Sequence, residues 1–412
     1  MEKEKQLIPE LRFSEFEDNW KEKTLGDFAD VSKLAGYEFT KHIKYESSGA
    51  IIALRGLNIK NNNLNLNDVK YIDNSELSKL NRSKLYVDDL MFTYIGTIGE
   101  VALIQENDRF YLAPNVSRIR FKKEVVFPKF MLQQFCRDEF KNKEVKTYVS
   151  SSSQPALTME NVRKFKINFP SLLEQQKIAS FLTAIDAKIT KLTKKKALLA
   201  QYKKGVMQKI FKQEIRFKDD NGNMFPDWEE KKLGVIGSIV SGLTYSPNDI
   251  NENGVLVLRS SNVKKRLIAL NDNVFVNIEE GKFNPVELND ILICVRNGSK
   301  RLIGKNAIIK EEHIGLAFGA FMTVYRSEYN RFLFHFFDSQ YYKKEVHKNL
   351  GATINSINGG DLKKFKVPFP CIAEQTKIAN FLSAIDLKIE ALNNKIENSK
   401  NFKKGLLQQM FV

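Results

Sequence analysis

The segment EQQKIASFLTAID, from Glu174 to Asp186, returns 200 residues later as EQTKIANFLSAID, from Glu374 to Asp386, with ten of thirteen positions identical. The same register aligns KFKINFP (Lys164–Pro170) with KFKVPFP (Lys364–Pro370), and KKGVMQKIF (Lys203–Phe211) with KKGLLQQMF (Lys403–Phe411). Three matches in one register mean duplication, and two copies of about 200 residues are duplicated domains, not the short units of a solenoid. The starts of the halves agree more loosely. ELRFSEFEDNWKEKTLG (Glu10–Gly26) parallels EIRFKDDNGNMFPDWEEKKLG (Glu214–Gly234), IIALRGLNI (Ile51–Ile59) parallels VLVLRSSNV (Val255–Val263), and DDLMFTYIG parallels NDILICVRNG. In each half a divergent region precedes a nearly identical one, as in a common scaffold that carries two different working surfaces.

After Pro170 the chain reads as a long helix. Ser171 and Glu174 form an S-x-x-E capping box, and Cys371 weakens the cap in the second copy. Beyond it Ile178, Leu182, Ile185, Ile189 and Leu192 advance by four- and three-residue steps, as do Ile378, Leu382, Ile385, Ile389 and Leu392. That is the apolar seam of a coiled coil. Lys, Asn and Gln flank each seam, so the two helices are expected to pack on each other. A helix of ~38 residues at ~1.5 Å per residue spans roughly 57 Å, and antiparallel pairing would put the variable regions at its two ends. Those regions read as mixed α/β: AIIALRGLNI, DLMFTYIG, EVALIQEN and RFYLAPNVSRIRF as strands, FPKFMLQQFCRDEFKNKEVK as helix.

Lys and Arg outnumber Asp and Glu by 65 to 49, a formal net charge of +16. Such an excess favours polyanions, nucleic acid first and an anionic membrane surface second. No apolar run approaches the ~18–20 residues of a membrane span, and the opening MEKEKQLIPE has no apolar signal core. A cytoplasmic protein with no membrane association is expected. Cys136, Cys294 and Cys371 are odd in number and far apart, so neither a disulfide framework nor a zinc site is expected.

Catalytic patterns fail one by one. Phe283-Asn284-Pro285-Val286 lacks the second proline and the aromatic of an amino-methyltransferase turn, and GSKRLIGKN (Gly298–Asn306) misses the spacing and hydroxyl of a P-loop. Pro226-Asp227-Trp228-Glu229-Glu230-Lys231 sets its carboxylates side by side, where a nuclease metal needs them from separate strands. His42, His313, His335 and His347 have no metal spacing. No catalytic and no metal-binding residue is expected.

DNA bases are read chiefly by Arg, Asn, Gln, Ser and Thr, and phosphates by Lys and Arg. Candidates in the first half are Arg55, Asn58, Lys60, Tyr94, Thr97, Ser151, Ser152 and Gln154. In the second half they are Arg259, Ser261, Asn262, Lys264, Arg266, Arg296, Asn297, Lys300, Arg301, Thr353 and Asn355. The Arg and Asn that recur at Arg55–Asn58 and Arg259–Asn262 fit either base reading or closure of a turn. The Lys194-Lys195-Lys196 run fits a solvated helix face first, and a contact along duplex phosphates between half-sites second.

A variable domain followed by P-x-x-x-E-Q-x-x-I-A-x-x-L-x-x-x-D, all repeated once, resembles the specificity subunit of type I restriction-modification systems; the matches are FPSLLEQQKIASFLTAID and FPCIAEQTKIANFLSAID. The resemblance covers nearly the whole chain. It implies an α+β fold: two mixed α/β target recognition domains joined by two long antiparallel helices in a coiled coil, a pseudo-twofold internal repeat. The corresponding segments are 1–170 and 213–370 for the domains, 171–212 and 371–412 for the helices. It further implies double-stranded DNA with an asymmetric bipartite site, two modification (methyltransferase) subunits and restriction (endonuclease/translocase) subunits as partners. S-adenosylmethionine, ATP and magnesium would belong to those partners, and this chain would bind no cofactor. Rival readings are a free-standing DNA-binding protein, an enzyme acting alone and a pure scaffold.

Overall fold

The computed structural model describes residues 7–149, 155–279, 281–350 and 355–412. The chain forms two compact units: unit 1 runs to Thr193 and takes back Asn394–Val412, and unit 2 is Lys194–Asn393. Two long helices, the central helix Leu172–Phe211 and the C-terminal helix Ile372–Gln409, therefore each contribute to both units.

Unit 1 is built on an antiparallel sheet in the order Ala29–Lys33, Val116–Phe121, Leu90–Thr93, Val101–Leu103. The strand Leu90–Thr93 is buried along its whole length, because successive side chains enter two different cores. Leu90 and Phe92 join Ile119, Phe130 and Phe165 on the helical side. Met91, Ala102 and Val116 face the other way, onto Ile52, Leu54 and Leu112. That second layer is a small sheet in which Ile52–Leu54 runs parallel to Phe110–Leu112.

Unit 2 repeats the plan. Its antiparallel sheet has the order Ser238–Ser241, Met322–Arg326, Ile291–Cys294, Asn306–Ile308. Ile291 and Ile293 point to the helical core, Leu292 and Cys294 to the second layer with Leu258 and Phe318. The aspartate shared by DDLMFTYIG and NDILICVRNG has the same work in both. Asp89 is buried and takes Nε and Nη2 of Arg120 at 2.7 Å each; Asp290 is buried and takes Arg326 at 3.0 and 2.7 Å. Bidentate pairs of this kind fix orientation as well as energy.

Within unit 1, Ile178 and Leu182 of the central helix share a core with Leu406 of the C-terminal helix and with Met410 and Phe411 just beyond its end. The Phe411 ring stacks on Phe130 at 5.2 Å and meets Trp20 edge-on at 6.0 Å. In unit 2, Ile378, Leu382 and Ile385 meet Met207, Ile210 and Phe211. The seam residues at the start of each helix are thus part of a domain core and not of a helix pair alone, while Ile189, Leu192 and Ile389 are half-buried and Leu392 is buried. Charges fix the register. Lys203 Nζ reaches both oxygens of Asp386 at 2.6 and 2.7 Å, and Lys196 reaches Asn393, so the helices run antiparallel in unit 2. The equivalent pair in unit 1 is Lys403 with Asp186, at 2.7 and 2.8 Å.

The helix starts differ from the expected capping box in one respect. The Ser171 hydroxyl accepts from Glu174 N at 3.4 Å, but the Glu174 carboxylate is taken by Arg12 at 2.8 Å through both Nε and Nη2. In unit 2, Glu374 accepts from Arg216 and from the Trp228 indole at 2.8 Å. Chain closure repeats too: Leu11 N donates to Gln409 O in unit 1, as Ile215 N donates to Lys209 O in unit 2.

The two units differ beside the helix aspartate. Gln133 donates to Asp186 at 3.0 Å, whereas the matching His335 is fully buried, bonds Ser383 at 3.1 Å through Nε2, and holds Nδ1 3.9 Å from Asp386, without a hydrogen bond among the described residues. Burial, and then the charges of Lys203 and Arg266, hold its imidazole well below the ordinary histidine pKa. The unfolded chain therefore takes up this proton first. Stability from this residue is full above about pH 6.5 and falls as pH drops below it, by up to about 1.4 kcal/mol per pH unit. His335→Gln copies unit 1, so its urea midpoint should decline less than that of the parent between pH 7.5 and 5.5. Equal declines would show that His335 binds its proton as readily in the folded protein as in the unfolded chain.

Candidate nucleic-acid interface

In each unit the strand from the second layer delivers an arginine into a tight turn. Arg55 precedes the turn Gly56–Asn58, and Arg259 precedes Ser260–Asn262. Asn58 is buried; its Oδ1 accepts from Arg55 N at 3.0 Å, and its Nδ2 donates to the carbonyls of Asn65 (3.0 Å) and Asp68 (2.7 Å). Asn262 is buried in the same way, accepting from Arg259 N at 2.9 Å and donating to Ala269 O and Asp272 O at 3.1 Å. The arginines repeat as well, Arg55 pairing with Asp68 and Arg259 with Asp272 at 3.1 Å. Both amides are fully occupied, so the turn-closing reading explains why Arg and Asn recur.

The chain then turns through two left-handed residues, Asn61 (φ 52°) and Asn62 (φ 60°) in unit 1, Lys265 (φ 51°) and Arg266 (φ 65°) in unit 2. Asparagine adopts this region readily and Lys or Arg does not. Arg266 offsets the cost inside the unit. It donates to Asn306 Oδ1 at 2.7 Å and to Phe334 O, and stacks on the Phe334 ring at 3.8 Å. Its guanidinium is thus not free for a ligand, and it lines a 230 Å³ cavity beside Lys203 and Asp386.

A second loop lies against the first. In unit 1 it follows Leu90–Thr93: Tyr94 O accepts from Leu157 N at 2.9 Å, and Ile95 bridges to Ala156. Tyr94 is itself buried. Arg55, Lys60, Thr93, Thr97, Glu100 and Asn115 line one cleft of about 720 Å³, with Phe39 and Tyr45 on its wall. In unit 2, Asn297 Nδ2 donates to Ser260 Oγ at 3.1 Å, Asn297 N to Asn355 O at 3.2 Å, and Asn355 Nδ2 to Gly298 O at 2.9 Å. Arg259–Lys264, Arg296–Arg301 and Asn355 are thereby brought together. The Arg296 guanidinium lies 5.6 Å from the Phe321 ring, and Ser261 Oγ is buried with no hydrogen-bond partner among the described residues. Lys60, Lys264, Arg296, Lys300 and Arg301 are exposed, and among the described residues none of them pairs with a carboxylate. Ser151, Ser152, Gln154 and Thr353 lie outside the described residues.

Among the described residues no three His, Cys, Asp or Glu side chains are placed to hold a metal ion, and no helix is long and apolar enough to cross a membrane. Trp228 packs edge-on against Phe211 and Phe332, which accounts for the Pro-Asp-Trp turn. What each unit presents is a layered sheet scaffold with two interlocked polar loops. The sequence profile of the type I restriction modification DNA specificity domain matches residues 17–200 and again 226–399. The chain belongs to that family. It is a type I specificity subunit with two DNA specificity domains, a non-catalytic class of component. It is 26% identical over 355 residues to the type I restriction enzyme MjaVIII specificity subunit of Methanocaldococcus jannaschii, covering 82% of each chain. Against the EcoKI specificity subunit of Escherichia coli it is 27% identical over 204 residues, 45% of this chain and 43% of that one. Its fold is that of the type I restriction-modification S subunit from M. genitalium, with a TM-score of 0.65 over 98% of this chain and 99% of that one, at 16% identity.

The loops separate framework from surface. Asn262→Ala strands two carbonyls and an N–H in a buried turn, and should destabilise the protein by about 2–3 kcal/mol, read as a lowered melting temperature. Lys300→Ala and Arg301→Ala should leave the melting temperature unchanged. An unchanged melt for Asn262→Ala would return that amide to the list of ligand-facing groups.

Proposed function

We propose that this specificity subunit recognises double-stranded DNA for a cytoplasmic type I restriction-modification complex, with unit 1 reading one half of an asymmetric bipartite site and unit 2 the other. The observation that carries this is the pair of reader loops on one framework: the same buried Asn and Arg–Asp contacts hold them, while their exposed side chains differ. Residues 1–170 and 213–370 act as the target recognition domains, and 171–212 and 371–412 as the helices on which two modification subunits dock. Restriction subunits join that assembly. S-adenosylmethionine, ATP and magnesium act in the partners.

Lys60, Thr97 and Asn115 face one half-site, and Lys264, Arg296, Asn297, Lys300, Arg301 and Asn355 face the other, with Arg55 and Arg259 at the loop roots. Ser151, Ser152, Gln154 and Thr353 are assigned to the same loops by sequence. Ser261, Asn262, Asn58 and Tyr94 shape the loops from beneath.

Exchange of residues 13–170 for the corresponding segment of another specificity subunit should change one half of the adenine-methylated motif in cells that carry the partner subunits, and leave the other half as it was. A change in both halves would count against separate readers. Lys300→Ala and Arg301→Ala should each lower the slope of log affinity against log salt by about 1, the signature of a lost phosphate contact. Binding that is indifferent to salt would favour a scaffold role instead.

A further inference from the structure

Glu100 and Lys305 occupy one place in the common framework. Each precedes the strand that follows the reader loop, Val101–Leu103 or Asn306–Ile308, and each follows a left-handed glycine, Gly99 (φ 89°) or Gly304 (φ 80°). Their backbones close the same turn: Thr93 N donates to Glu100 O at 3.0 Å, and Cys294 N to Lys305 O at 2.8 Å. At this position one unit carries a carboxylate and the other an ammonium.

The surroundings sharpen the contrast. Glu100 lines the 720 Å³ cleft with Arg55, Lys60, Thr97 and Asn115. Its Oε2 is shielded from solvent and, among the described residues, has no hydrogen-bond partner, and none of their cations pairs with the carboxylate. Shielding a carboxylate oxygen without a partner costs free energy, so its place in an otherwise basic cleft is not explained by the fold. A phosphate would repel it; the edge of a base that presents an amino group would not. In unit 2, Lys305 Nζ sits 3.1 Å from Ser260 O, in the turn that carries the reader loop, and burial holds its ammonium below the usual lysine range. Its charged neighbour there is another cation, Lys264.

Resting on the reading that each unit faces one half-site, we propose that Glu100 and Lys305 are equivalent specificity residues of opposite sense. Glu100 accepts a hydrogen bond from the exocyclic amino group of a base in the first half-site. Lys305 donates to the O6/N7 edge of a guanine in the second. In the major groove, cytosine N4 and adenine N6 are the amino donors, and guanine presents two acceptors that suit lysine. Each group also rejects the wrong edge, since a carboxylate faces lone pairs on guanine O6 or thymine O4 and an ammonium faces N–H groups on the amino bases.

The test is selection of duplexes from a randomised pool by the full chain together with its co-purified modification subunits. Glu100→Lys should weaken the parental site about 10- to 100-fold and move one position of the first half-site from an amino-bearing base to guanine, with the second half-site intact. Lys305→Glu should do the converse. Because a charge reversal can unfold a unit, the parent protein is also measured on its own site with single base analogues. Loss of the amino group from one cytosine (2-pyrimidinone) or one adenine (purine) of the first half-site should cost about 10-fold or more, and the analogue that does so identifies the base. If every amino-deleted analogue binds like the parent site, or Glu100→Lys weakens all sequences alike, the assignment is overturned. If the parent enriches no sequence at all, the reading of the units as DNA readers falls with it.

Discussion

Each compact unit is closed by a piece of helix that belongs, in sequence, to the other repeat. Phe411 and Met410, at the end of the second copy, fill the core of unit 1 between Trp20 and Phe130; Phe211 and Met207, at the end of the first copy, fill the core of unit 2 beside Trp228 and Phe332. A buried phenylalanine of this kind is worth about 1.5–3 kcal/mol, and none of it is realised until the far segment arrives. Lys403 and Lys203 are largely buried, and their aspartate partners come from the opposite copy as well. A largely buried ammonium without its carboxylate is strongly destabilising. This reciprocity explains why EQxKIAxFLxAID and KKGxxQxxF stay alike between copies: each must fit a hole and a charge made by the other.

Much of this was legible from residues alone. The repeat register, the two long helices and their seams followed from spacing, because a helix writes its buried face into the chain at steps of three and four. The layered sheet was legible only as apolar runs, since Leu90–Thr93 and Ile291–Cys294 are buried on both faces and so lack alternation. The capping box at Ser171 and Glu174 was half legible. Its glutamate was claimed by Arg12, 162 residues away, which no local pattern reveals. Arg266 looked like part of a basic loop and turned inward through a left-handed backbone. The equivalence of Glu100 and Lys305 is hidden in the sequence because the loops before them differ in length, and only the strand pairing of Ala102 and Ala307 shows it. Alignment of the sheets, and not of the loops, was the signal that could have found them.

Several side chains that recur between units are held by buried partners inside the unit. Asn58 and Asn262 hold backbone carbonyls, Asp89 and Asp290 hold arginines, and Glu174 and Glu374 hold Arg12 and Arg216. Changing any of them leaves a buried polar group unmatched, at a cost of about 1–3 kcal/mol, a large share of the margin by which a domain stays folded. Leu57 and Ser261, Ile95 and Arg296, and Glu100 and Lys305 occupy matching places, and each pair differs in chemistry; of these, Lys305 Nζ donates to Ser260 O at 3.1 Å. A surface held by buried contacts that it does not itself make can change its hydrogen-bonding sense, even its charge, without loss of the fold. Two copies of one framework can then present unlike surfaces on a chain whose net charge of +16 attracts polyanions without regard to sequence. On the proposed reading, discrimination among those polyanions falls to the loop side chains that differ between the units.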